Sequence, residues 1–216
     1  MRFKTLTAVI LMSVFAVSGI LSAASKFYVP DAVFDQYRKK YGEQAETRLN
    51  ALLELMDGLT DASDDKKAIE VNKFFNQVQY QTDIKTWGQS DYWASRLEFL
   101  GVGMGDCEDY AVSKFLTLIQ LGVPQEKLFL TYVKRGTESH MVVTYYKEPN
   151  TVPFVLDNFE KAILPATKRT DLAPVYSFTA NDLFLQKQQG LGKRVDPSQS
   201  KNLNKLKAID LEIVKR

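Results

Sequence analysis

Residues 107–121 are apolar around almost the whole helical circumference, and this feature constrains the fold more than any other. The narrow polar stripe consists of Ser113, Lys114, Thr117 and Gln120. A helix with so little polar surface has to be surrounded by other elements, so we predict a central, largely buried helix. Gly122 supplies its C-terminal stop, and the glycines at 101, 103 and 105 let the backbone turn sharply into its start.

Helices precede this segment and strands follow it. Leucine and methionine recur at helical spacing over residues 43–57, and Ser63 is placed to cap a second helix. The apolar positions of that second helix are Ala68, Val71, Phe74, Phe75 and Val78. Turn residues then separate three β-rich runs, at 127–134, 139–147 and 153–159. Helices followed by consecutive strands indicate an α+β fold with an antiparallel sheet packed on the central helix.

Residues 1–24 have the pattern of an export signal. Arg2 and Lys4 precede an apolar run over 6–21, and small residues follow at 22–24. We predict cleavage after Ala24 and a periplasmic or secreted product, with 25–216 as a single domain. An uncleaved membrane anchor is the alternative, because the apolar run is long for a signal peptide and short for a span.

The charge balance excludes one class of partner. Without residues 1–24 the chain carries 26 basic and 26 acidic side chains. Nucleic-acid binding needs a strong positive footprint, so we expect no nucleic-acid partner. From Gln186 onward eight basic residues stand against three acidic ones, which is typical of a basic, solvated C-terminal tail or of a surface helix.

Cys107 is the only cysteine, although export normally favours paired cysteines. A lone thiol is either a small buried hydrophobe or a reactive nucleophile. Cys107 stands at the first turn of the predicted central helix, where orphan N–H groups and the positive dipole end favour a thiolate. We expect its sulfur to point toward the sheet, because Ala111, Phe115 and Leu118 continue the same apolar face.

His140 and Asp157 complete a possible catalytic triad. His140 is the only histidine and lies on the second predicted strand, where it can exchange a proton with Cys107. Asp157 follows four mostly apolar residues, and a buried carboxylate there requires a partner such as an imidazolium. Taken singly, a strand histidine is often structural and a strand-end aspartate often starts a turn. The combination favours a Cys107–His140–Asp157 triad.

Three carboxylates surround the cysteine: Asp106, Glu108 and Asp109. Like charges raise the pKa of a thiol, and a hard cation such as calcium, bound by these oxygens, would remove that effect. Ordinary capping of the helix by Asp106 and first-turn acids is the alternative. The aromatic residues of the preceding loop, 87–100, belong either to the core or to a groove for a substrate or partner.

The motifs at 105–111 (Gly-Asp-Cys-Glu-Asp-Tyr-Ala), 139–142 and 156–158 resemble the bacterial transglutaminase-like cysteine proteinases, of the periplasmic, adhesin-cleaving type. The resemblance covers about 87–159. It implies a papain/transglutaminase-like core in a single cysteine-proteinase domain. By position it makes Cys107 the nucleophile, His140 the general base and Asp157 its orienter, and it assigns calcium to Asp106 and Glu108, with Asp109 as a further ligand.

The same resemblance implies a biological role. Such enzymes cut a large surface adhesin near its N-terminus and so release biofilm, and an inner-membrane cyclic di-GMP receptor inhibits them by sequestration. Two other functions stay open on the residues alone. A transglutaminase or amide acyltransferase would use the same triad, and a non-catalytic, calcium-dependent binding module would keep the acidic residues with an inert thiol.

Overall fold

A computed structural model of the protein describes residues 25–186, 191–198, 200–209 and 212–215. The predicted signal at 1–24 and its cleavage site lie outside the described residues. Within the described part of the chain, no helix has the length and apolar character needed to cross a bilayer.

Among the described residues, six α-helices lie between residues 31 and 120 and one lies near the C-terminus. They are α1 (Asp31–Tyr41), α2 (Glu43–Gly58), α3 (Asp64–Phe75), α4 (Asp83–Thr86), α5 (Arg96–Val102), α6 (Cys107–Gln120) and α7 (Lys201–Ala208). The predicted helix over 43–57 is therefore confirmed as α2. Ser63 caps α3 by accepting a hydrogen bond from the Lys66 amide, but α3 ends before Val78.

The strands are β1 (Phe27–Tyr28), β2 (Gln79–Tyr80), β3 (Met104–Gly105), β4 (Leu128–Arg135), β5 (Glu138–Tyr145), β6 (Phe154–Leu156), β7 (Leu164–Pro165), β8 (Leu172–Phe178), β9 (Leu183–Gln186), β10 (Leu191–Val195) and β11 (Val214–Lys215). Seven of them form an antiparallel sheet in the order β10-β9-β8-β4-β5-β6-β7. Two small sheets pair β1 with β11 and, in parallel, β2 with β3.

The main core lies between α6 and one face of the large sheet. Val112 and Leu118 of α6 are fully buried in the same apolar cluster as Val143 of β5. The other face of the sheet carries a smaller cluster of Val133, Val142 and Val155. The α+β fold with a central buried helix on an antiparallel sheet is thus confirmed.

The segment 87–100 is less of a loop than its sequence indicates, because α5 begins inside it. Ser95 and Glu98 form a capping box that starts this seven-residue helix. Gly103, with φ 75°, ends it in the left-handed conformation. Gly101 lies within α5, where a Cβ would come within 2.6 Å of the Tyr41 ring. Close packing, and not a turn, therefore explains Gly101.

The basic C-terminal segment is more than a solvated tail. Strand β10 extends the large sheet, and Leu203 and Leu206 of α7 are buried in the main core. Val214 pairs with Tyr28 near the start of the described chain. The surface-helix alternative is therefore realised in α7, with strands on either side that the sequence did not reveal.

Candidate active site

Cys107 opens α6 because Asp106 caps the helix immediately before it. The Asp106 and Asp109 side chains form a capping box at this end. The Cys107 sulfur lies beside the backbone amide of Met141 on β5, which acts to lower the pKa of the thiol. Strand β6 pairs with β5 only from Val143 onward, so the sulfur lies where that edge of β5 has no strand partner. It points to the sheet, as the sequence predicts.

His140 and Asp157 are bound directly to each other. The distance from His140 Nε2 to Asp157 Oδ1 is 2.8 Å, and both side chains are buried. Asp157 stands just after β6, where Oδ1 also accepts the Phe159 amide at 3.1 Å. The turn-starting and histidine-pairing interpretations of Asp157 therefore both hold. With Nε2–H donated to the carboxylate, Nδ1 is the nitrogen left to accept a proton.

The structure joins two of the three predicted residues directly, His140 and Asp157. Strand alternation puts His140 on the same face as Val142, which packs away from α6. Cys107 approaches β5 from the α6 side, beside Met141, the residue next to His140. The Cys107 thiol and the His140–Asp157 pair therefore lie at neighbouring residues of β5.

The thiol is held in its neutral form. Burial raises the pKa of Cys107, and the Glu108 and Asp106 carboxylates raise it further. The thiol donates to Glu108 Oε2 at 2.7 Å, while Tyr132 donates its hydroxyl proton to Oε1 at 3.0 Å. These acidic groups oppose the thiolate that a nucleophile requires.

Three aspartates form a cluster beside the thiol. Oxygens of Asp83, Asp106 and Asp109 lie within 4.8 Å of one another. Burial and neighbouring carboxylates raise the pKa of Asp106 to about 9 and that of Asp109 to about 7, and burial also raises that of Asp83. Among the described residues no partner binds the buried Oδ1 of Asp83. This oxygen-only donor set, with excess negative charge, fits calcium.

The predicted metal ligands divide into two groups that share Asp106. Asp106 and Asp109 join Asp83, whereas Glu108 groups with Asp106 and Cys107. The capping alternative is also realised, because Asp106 accepts the Glu108 amide at 3.2 Å. Asp83 was missed by sequence reasoning, since an acid at the first turn of α4 looks like ordinary dipole compensation. Pairing of β2 with β3 brings its segment to the start of α6.

Asp157 has basic neighbours that the sequence also did not reveal. Arg169 Nη2 lies 2.6 Å from Asp157 Oδ2. Lys114 Nζ and Asn76 Nδ2 donate to its carbonyl oxygen at 3.1 and 2.8 Å. Lys114 in the apolar helix α6 was the one sequence signal of these contacts, because a buried amine needs a hydrogen-bond acceptor.

The aromatic residues of 87–100 divide between buried and partly exposed positions. Trp93 is buried in the core and lies 6.3 Å from Phe178, ring centre to ring centre. Trp87 and Tyr92 contact each other at 4.8 Å and stay partly exposed. A cavity of about 410 Å³ lies against Tyr92 and Trp93, but its other walls come mainly from α1, α5 and α7, so it does not place these rings in a groove beside Cys107.

Comparison with known proteins agrees with this geometry. A family model described as bacterial transglutaminase-like cysteine proteinase matches residues 37–187. No curated protein matches the chain.

Solved structures of LapG from Legionella pneumophila match most of the chain. The calcium-bound form is 37% identical with a TM-score of 0.69, covering 82% of this chain and 96% of that one. The EGTA-treated form is 38% identical with a TM-score of 0.68, covering 82% and 94%. Another LapG structure is 37% identical with a TM-score of 0.67 and the same coverage as the EGTA-treated form.

Proposed function

The chain belongs to the bacterial transglutaminase-like cysteine proteinases, and on that premise we propose that it is a calcium-dependent endopeptidase with Cys107, His140 and Asp157 as its catalytic triad. The observation that carries the proposal is the buried His140–Asp157 pair, one residue along β5 from the Met141 amide that lies beside the Cys107 sulfur. Such a pair fixes the tautomer and orientation that a general base needs.

The residues would work in two stages. His140 takes the Cys107 proton as the sulfur attacks the scissile carbonyl carbon, and then delivers it to the departing amine. This leaves a thioester on Cys107 and an imidazole ready to deprotonate water. Hydrolysis of the thioester releases the second peptide and restores the thiol. Asp157 stays ionised throughout and stabilises the imidazolium.

Calcium would be held by Asp83, Asp106 and Asp109, with Glu108 next to them. When bound, the ion supplies positive charge that offsets the carboxylates which raise the pKa of the thiol. Calcium takes six to eight oxygens, so backbone carbonyls and water would complete the shell. The LapG structures in calcium-bound and EGTA-treated forms support this proposal.

The proposed substrate follows from the family resemblance, and the proposed compartment follows from that resemblance and from residues 1–24. We infer a periplasmic enzyme that cleaves a large surface adhesin near its N-terminus and thereby controls biofilm release. An inner-membrane cyclic di-GMP receptor would act as its inhibitor by sequestration.

Purified residues 25–216, incubated with the N-terminal region of such an adhesin, test the proposal directly. We expect two peptides whose masses sum to the substrate plus water, in calcium but not in EGTA. An amine adduct in place of water would assign acyl transfer. Intact substrate in calcium, with a thiol that resists alkylation until unfolding, would indicate a binding module.

A further inference from the structure

The Asp157 carboxylate has two cationic or potentially cationic partners, one on each oxygen. His140 binds Oδ1 at 2.8 Å, and Arg169 binds Oδ2 at 2.6 Å. The Arg169 side chain is only 4% exposed and the Asp157 carboxylate is fully buried. Because the buried guanidinium binds Oδ2, Oδ1 is left to accept a hydrogen bond from the histidine.

Arg169 is itself held in place from the solvent side. Asp171 accepts from its Nε at 2.9 Å and from its Nη2 at 2.8 Å, and the Asp171 side chain is 48% exposed. The arginine approaches from the sheet face opposite α6, where a cavity of about 690 Å³ is lined by Val133 and Val142. Arg169 therefore reaches Asp157 from the sheet face on which His140 lies.

We propose that Arg169 is a positioning residue of the catalytic site, which fixes the orientation of the Asp157 carboxylate and shares its charge with His140. The inference rests on the triad proposed above. The Asp157 backbone has its own supports, because Lys114 and Asn76 bind its carbonyl oxygen. Loss of Arg169 should consequently alter the carboxylate and not the path of the chain.

Charge sharing has a definite sign. A carboxylate that binds only an imidazole increases the affinity of that imidazole for a proton. A second cation on the same carboxylate opposes this increase. Arg169 therefore offsets part of the negative charge that the Asp157 carboxylate presents to His140. The neighbouring titratable or charged groups remain in every variant below. Tyr80 and Arg135 contact the Phe159 ring that packs on His140. Cys107 or its replacement, Glu108 and Glu138 lie near Tyr80, and Lys114 binds the Asp157 carbonyl oxygen.

The decisive measurement is the pKa of His140 by NMR, because the chain has no other histidine to confuse the signal. In a Cys107→Ala background, Arg169→Gln should raise that pKa by about one pH unit, since it removes the cation and keeps a hydrogen-bond donor. Arg169→Lys keeps the charge and should stay near the parent value. Arg194→Met, which removes a surface arginine paired with Asp182, should also have no effect.

Activity gives a second readout. With Cys107 restored, Arg169→Gln should lower kcat at least about tenfold with KM nearly unchanged, because Arg169 orients the base without touching substrate. Arg169→Lys should recover part of the loss. If Arg169→Gln does not fold, Asp171→Asn tests the same support from outside, and it should lower kcat several-fold.

An unchanged His140 pKa in Arg169→Gln would overturn the proposal. So would a loss of activity that the folded fraction fully accounts for, or an unchanged kcat in Asp171→Asn. Because the NMR titration needs no substrate, a wild-type protein that fails to cleave the adhesin would refute the proposed function and leave Arg169 decided separately.

Discussion

The carboxylates at the start of α6 and the Asp157 carboxylate after β6 lie in opposite environments. At the start of α6, Asp106 and Asp109 face other acids, and burial with this repulsion raises the pKa of both. After β6, burial also acts to raise the pKa of Asp157, but hydrogen bonds from His140 and Arg169 outweigh it and hold that pKa well below its ordinary range. Under the proposed calcium dependence the acids at the start of α6 take a cation from solution, whereas Asp157 has its cationic partners within the chain.

This contrast divides the roles in the site. The Asp157 region is preorganised for proton transfer whether or not metal is bound. The acidic groups of the Asp106 region raise the pKa of the thiol, so under the proposed function this is where a bound calcium ion would act on the enzyme. Cys107 lies between the two regions, with its thiol bound to Glu108 and beside the Met141 amide.

Removing the residue between the two regions should have the largest effect. Cys107→Ala should lower cleavage at least about a thousandfold, because it removes the attacking sulfur. Calcium binding by calorimetry and the thermal midpoint should stay close to wild type, since only a small volume is lost. Cleavage at a comparable rate by the purified variant would show that the nucleophile lies elsewhere.

Asp157→Asn should have the next largest effect, a loss of about 10²- to 10⁴-fold in kcat, by analogy with triads in which this change permits the wrong tautomer. The amide can donate to Nε2 and so leave the proton on Nδ1, where the thiol proton would have to go. Calcium affinity should not change, because the acidic cluster is a separate region. Asp182→Asn, at a surface ion pair, is the matched control; equal kcat losses in both variants would contradict the triad.

Asp83→Asn should have a smaller effect that excess calcium reverses. It removes one charge from the cluster, so we expect calcium affinity to fall at least about tenfold and cleavage to recover at high calcium. Asp91→Asn changes an exposed aspartate of the same segment, 64% exposed and paired with Lys205, and should bind calcium normally. Identical calcium titrations for the two variants would remove Asp83 from the metal site.

The same contrast explains which residues the sequence could reveal. Cys107 and His140 are each the only residue of their type, and Asp157 follows an apolar strand, so composition and pattern were enough to select them as candidates. The α6 helix was predicted almost to the residue because its all-round apolar surface admits one environment. These features are local.

Asp83 and Arg169 could not be selected in this way, because each is one of many similar charged residues. Asp83 reaches the cluster only through the pairing of Gln79 with Met104. Arg169 reaches Asp157 only through the turns between β7 and β8. Helix α5 was hidden by its shortness, and β11 by its dependence on Tyr28, far away in the chain. Such contacts are tertiary, and no local propensity encodes them.

The smallest expected effect is on stability, and its sign separates the two regions. Asp106 and Asp109 have a higher pKa folded than unfolded, so between about pH 4 and 9 the native state binds more protons and loses stability as pH rises. Asp157 acts oppositely: its contribution is present above the ordinary carboxyl pKa and is lost as pH falls through the lowered value. In EGTA the thermal midpoint should therefore decline from about pH 5 toward about pH 9.

Calcium should remove that decline, because the ion takes the place of the bound protons. At a concentration of 100 Kd it should add about 2.7 kcal/mol, or roughly 5–10 °C for a chain of this size, and less near about pH 5, where protons compete for the same oxygens. Scanning calorimetry across this pH range, with and without calcium, measures both the decline of the thermal midpoint with pH and the increase due to calcium. Asp106→Asn should flatten the EGTA curve and abolish the calcium increment, while Asp91→Asn should keep both. An EGTA curve that is already flat in wild type would mean that the acidic cluster is ionised without metal, and the contrast between the two regions would then not govern the enzyme.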